Sequence, residues 1–141
     1  MRDRFGRTVM ILVLSLAPSL VAAPLAAAIA APAVPVRYGG DAARDACDTL
    51  ATVTGLDPRG DNYLSVRSGP GGAAYREQDH LRGGQQVWIC EERGVWLGIV
   101  YRRSTTGADC GVGMPRRRAG PYRGPCRAGW VHSRYVRTIA G

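Results

Sequence analysis

Short runs that alternate apolar and polar residues, dense Gly and Pro between them, and no sustained apolar stripe at helical spacing predict an all-β fold, a small barrel or sandwich. The run around which the chain is organised is Leu64-Ser65-Val66-Arg67-Ser68-Gly69-Pro70-Gly71. It alternates over four residues and stops at Gly-Pro-Gly, where Pro withholds a ladder donor and Gly supplies dihedrals that other residues avoid. No internal repeat is visible.

With 141 residues the chain has room for one small domain behind a leader. Arg2, Arg4 and Arg7 precede an apolar stretch from Val9 to Val21, and Ala28-Ile29-Ala30 forms an A-x-A site. This is the layout of a secretory signal peptide over residues 1–30. The competing reading is an uncleaved membrane anchor. Pro18, Pro24 and Pro32 would interrupt such a helix, and its later half is mostly Ala, which inserts weakly. Export to the periplasm or beyond is therefore expected, with no stable membrane anchor once the leader is cleaved. Residues 31–46 have the Pro, Gly, Ala and mixed-charge composition of a flexible linker.

The ordered domain is expected over 47–141. Residues 50–56, with Thr52, Val53 and Thr54, read as a strand. Residues 57–62 (DPRGDN) read as a turn, since Pro presets one dihedral and Gly and Asn tolerate positive φ. After the LSVR strand comes a loop over 71–80 carrying Tyr75 and mixed charge. In 85–90, Val87 and Ile89 share a face opposite Trp88 and Cys90. Residues 91–94 form a short hairpin connection. The returning strand 95–101 has Val95, Leu97, Ile99 and Tyr101 on one face and Trp96 and Val100 on the other. From 102 to 127 the pattern dissolves into five glycines, three prolines, the Arg116-Arg117-Arg118 triplet and two cysteines. The chain closes on Gly129-Trp130-Val131-His132-Ser133-Arg134-Tyr135-Val136, read as a strand, one helical turn at 133–135 and a last strand.

Four cysteines, Cys47, Cys90, Cys110 and Cys126, follow the leader, and an even count in a short exported chain predicts two disulfides. Three pairings are possible. Cys110 with Cys126, clipping the long excursion, and Cys47 with Cys90 are favoured. A zinc site is disfavoured, because no C-x-x-C spacing occurs and His80 and His132 lie far from any cysteine in sequence. Neither a metal nor another cofactor is expected.

All 19 basic residues are arginine, against 11 acids. The first 30 residues carry three Arg and one Asp, which leaves 16 against 10 and a net charge of +6 for the domain. Such a domain is drawn to anionic surfaces in general, which by itself does not choose among wall polymer, lipopolysaccharide and nucleic acid.

The LSVRSGPG run resembles, nearly letter for letter, the first strand and following loop of bacterial SH3-like (SH3b) domains. GWVHSRYV resembles that family's closing signature, and the glycine before Val95-Trp96 resembles its middle hairpin. The likeness covers roughly residues 50–139. It implies a small SH3-like β-barrel, here with a disulfide-clipped insertion over 102–127 where the family has a short turn. It also implies a non-enzymatic binding module, since several members resemble peptidoglycan-recognition modules. Carried over by position, the ligand groove would be lined by Tyr63, Tyr75 and Trp96, with Trp130 and Tyr135 on the far wall. The expected partner is a cell-wall polymer, with an extended peptide of another exported protein as the alternative. No nucleic acid is expected.

Each candidate has a plainer reading. Trp88, Trp96 and Trp130 are packing residues by default in a small β core, with Trp96 the natural exception, as it lies opposite the apolar face. Arg116, Arg117 and Arg118 would form an anion patch if they converge, and otherwise a solvated loop. Catalysis has little to stand on: Ser65, Ser68, Ser104 and Ser133 lie in no nucleophile-elbow context, and His132 reads as structural.

Overall fold

The computed structural model describes residues 28–141. The signal peptide expected over 1–30 lies outside the described residues except for its last three, which are exposed coil. The fold is all-β, with eleven strands and two single turns of 3-10 helix among the described residues. Among the described residues no helix is long and apolar enough to cross a membrane.

The strands are β1 (Arg37–Tyr38), β2 (Asp41–Asp45), β3 (Thr49–Val53), β4 (Leu64–Arg67), β5 (Glu77–Leu81), β6 (Gln86–Arg93), β7 (Trp96–Tyr101), β8 (Pro115–Arg116), β9 (Gly120–Pro121), β10 (Arg127–His132) and β11 (Val136–Ala140). Seven of them make one antiparallel sheet in the order β11-β3-β6-β7-β10-β4-β5. Period-two alternation decides what this sheet encloses. Ala51, Val53, Leu64, Val66, Leu81, Val87, Ile89, Leu97, Ile99, Tyr101 and Val131 form one buried cluster, with Val136 packed against it. The two edge strands β5 and β11 thus feed the same core through Leu81 and Val136, so the sheet curls around it.

The outer face of the same sheet is covered too. Val100 from β7 meets Cys47, Cys110 and Val112, flanked by Tyr38, Trp88, Cys90, Tyr122, Cys126 and Ala128. This second cluster is where the long excursion goes. Two disulfides, Cys47–Cys90 and Cys110–Cys126, sit within it, the pairing favoured from the sequence. They close loops with sequence separations of 43 and 16. By loop-closure entropy the first stabilises by about 4 kcal/mol and the second by about 3. Replacing Cys47 and Cys90 together by Ala is accordingly expected to lower the unfolding free energy more than replacing Cys110 and Cys126, as denaturant titration would measure. Two disulfides fit an oxidising, non-cytoplasmic environment.

Three expectations are corrected. Residues 31–46 are not a free linker: β1 pairs with β9, β2 pairs with β8, and Val36 and Ala46 are buried. Main-chain bonds Ala31 N–H to Ala74 O (2.8 Å), Val34 N–H to Ser68 O (2.7 Å) and Tyr122 N–H to Val36 O (2.8 Å) strap this segment to the domain. Apolar periodicity could not reveal it, because its partners lie in the irregular excursion. Second, residues 71–80 are not all loop. A 3-10 turn at Gly72–Ala74 leads into β5, which hides from the pattern because only Leu81 among its residues is buried. Third, Val95 is 52% exposed, since it belongs to the Gly94-Val95 turn and β7 begins at Trp96. The helical turn expected at 133–135 is present.

Candidate functional site

An open groove of about 320 Å³ is the site that brings most of the sequence candidates together. Its walls include Tyr63, Trp96 and Tyr135, with His132, Arg67 and the acids Asp57 and Asp61. The strand register explains the assembly. Leu64 and Val66 of β4 point into the core, so Ser65 and Arg67 face outward into the groove. On β7, Leu97 and Ile99 point inward, which leaves Trp96 on the opposite face. Trp96 lies directly across from His132 of β10, their rings edge to face at 5.4 Å. His132 meets Tyr135 at 6.3 Å, extending the row.

The turn after β10 fixes this row. The His132 Nδ1 accepts from the Arg134 N–H at 3.1 Å, so a neutral ring carries its proton on Nε2. The Ser133 N–H donates to Val95 O at 2.9 Å, tying the turn to the β6–β7 hairpin. Tyr63, at the other end, stacks on His80 with ring centroids 3.8 Å apart. The His80 Nε2 lies 2.6 Å from Glu77 Oε1. The Ser65 hydroxyl, then His80, hold the Glu77 carboxyl below its ordinary range. The charges of Glu77 and then Asp61 raise the Tyr63 hydroxyl, with Arg67 opposing them.

Two sequence candidates lie elsewhere. Trp130 is fully buried, its Nε1–H donating to Val34 O at 2.7 Å beneath the N-terminal strap and its ring 5.0 Å from the Arg93 guanidinium. It is a core residue, because the alternation that brings Val131 inward turns Trp130 to the face that residues 34–36 cover. The Tyr75 ring lies on the Gly-Pro-Gly turn, where a Cβ on Gly69 would collide with it and one on Gly71 would come within 2.8 Å. That contact explains the two glycines of the LSVRSGPG run, and Tyr75 serves the turn rather than the groove.

No family model, curated protein or solved structure matches this chain.

The disulfide-clipped insertion does not cross the groove, whose lining residues come from 56–67, 96, 132 and 135. Nor does it present three converging arginines. Arg116 lies over the Tyr38 ring at 4.6 Å and donates through Nε to Arg118 O, while Arg117 and Arg118 stay exposed. Elsewhere, Asp79 accepts from Tyr101 Oη at 2.9 Å and attracts Arg103 and Arg127 at 3.6 and 3.9 Å. Burial works to raise the Asp79 carboxyl, and the His80 N–H, Tyr101 and the two arginines together hold it below its ordinary range. This cluster closes the end of the core and is not part of the groove.

Sequence reasoning missed Arg67, Asp57, Asp61 and the groove-facing role of His132. The outward parity of Arg67 on β4 was a usable signal. The acids were not legible, because nothing local to a DPRGDN turn says which element it leans against.

Proposed function

We propose that the chain is an exported SH3-like binding module that recognises cell-envelope material, with peptidoglycan and its peptide stems as the ligand class. The observation that carries this reading is the half-buried aromatic row Trp96–His132–Tyr135, with Tyr63 in the same groove, at the ends of strands that also bear the LSVRSGPG and GWV motifs. A half-buried tryptophan and tyrosines held at strand ends and the turn after β10 bind with little loss of side-chain freedom, as a recognition surface requires. The motifs fall in the order expected of such a domain: LSVR on β4, the glycine turn before β7, GWV on β10, a helical turn and a last strand. The leader and the two disulfides support export.

The reading is tested by adding solubilised wall fragments to the isotopically labelled domain and following its tryptophan indole N–H resonances. The Trp96 resonance is expected to shift, while that of Trp130, bonded to Val34, stays in place. Saturable shifts confined to the arginine-rich excursion would overturn the groove as the wall-binding site. Saturation by a proline-rich peptide, with no response to wall fragments, would move the protein-partner alternative into first place.

A further inference from the structure

We propose that the groove selects a ligand bearing a free ammonium group, namely the side-chain amine of an uncross-linked peptide stem; this rests on the wall-binding reading above. The groove is a local inversion of charge in a chain of net charge +8, for its walls carry Asp57 and Asp61 against Arg67 alone. The arginine is also partly committed, donating through Nη1 to Tyr75 O at 3.0 Å. The Asp57 carboxylate accepts from the Arg59 N–H at 2.9 Å and has the Arg59 guanidinium 4.0 Å away as its one ion-pair partner, both side chains exposed, and Asp61 has no ion-pair partner among the described residues. Several other arginines are engaged away from the groove, Arg93 with Glu91 and Arg103 and Arg127 with Asp79.

An ammonium group fits these walls in two ways. Trp96 and Tyr135 attract cations through the ring quadrupole, as does the face of Tyr63 not stacked on His80, and the aspartates supply the countercharge. The charges of Glu77 and Asp61, together with burial, also raise the Tyr63 hydroxyl, in keeping with the two aspartates of the wall. A carboxylate ligand would meet the opposite field. The chemical consequence is specific. The side-chain amine of a stem is a cation while the stem is free and becomes a neutral amide once it is cross-linked. The groove would therefore distinguish unlinked from linked wall.

The test titrates the full domain, by tryptophan fluorescence, with a soluble stem tripeptide ending in a diamino acid and with the same peptide acetylated on its side-chain amine. Acetylation is expected to weaken binding about tenfold, and the double substitution Asp57→Asn, Asp61→Asn to erase that difference. Equal affinity for the two peptides would overturn the inference and leave wall binding standing. If neither peptide binds while intact wall still retains the protein, ammonium selection also falls alone. If intact wall fails as well, both readings fall.

Discussion

A chain beginning at Cys47, the start of the domain expected from sequence, is expected to be far less stable than one beginning at Ala31. Removing 31–46 takes away the carbonyl of Val34 that accepts from the Trp130 indole and uncovers that ring, at a cost of about 0.5–1.5 kcal/mol for the hydrogen bond alone. It removes Val36, which is 3% exposed and packs over Gly98, for about another 1.5–3 kcal/mol. The β1–β9 and β2–β8 pairings go with it, and with them the ordering of the excursion. Against a typical stability of about 5–15 kcal/mol, losses of this size leave little margin. Thermal melts of the two chains would measure it, and Val36→Asp in the longer chain is expected to reproduce much of the defect without touching a cysteine. Equal melting temperatures for the two chains would show that the strap is ornamental.

Trp96→Ala is expected to weaken ligand binding by at least about tenfold while leaving the fold nearly intact. Trp96 is only half-buried, and the inward row Leu97, Ile99, Tyr101 that anchors β7 survives its loss. Its contact with His132 is edge to face at 5.4 Å, so the row loses one member rather than its support. Trp130→Ala is the matched contrast. It empties a fully buried site beneath the strap, and about 3–5 kcal/mol of stability should go with it. Melting curves paired with titrations of solubilised wall fragments separate the two roles. A Trp96→Ala protein that binds as well as the parent would remove the groove from the account.

The contrast between the two tryptophans also measures what the sequence could tell. Alternation placed Leu64, Val66, Val87, Ile89, Leu97 and Ile99 on the inner face, because a sheet with one core imposes period two along each strand. The same rule set Trp96 apart. It could not say that the outer face is itself covered, since the covering residues, Cys47, Cys110 and Val112 with Val36 over Gly98, lie in irregular segments with no period to read. The 31–46 segment was misjudged for that reason, and it is the cover over Trp130 that makes its default packing reading hold against a place on the groove's far wall. Tyr75 was assigned to the groove by position, but the glycines beside it make a seat for its ring, a contact visible only in three dimensions. The acids of the groove were missed because a turn sequence specifies its own geometry and not its neighbours.

The most direct test of groove-mediated wall recognition is co-sedimentation of the oxidised domain from Ala31 with purified peptidoglycan sacculi, at low and at high salt. High salt screens exposed charges beyond about 3–5 Å and leaves aromatic contacts in place. The account predicts pelleting that persists at high salt in the parent protein and is lost in Trp96→Ala. Pelleting that vanishes with salt, or that Trp96→Ala retains in full, would contradict it and mean only that an arginine-rich protein adheres to an anionic polymer.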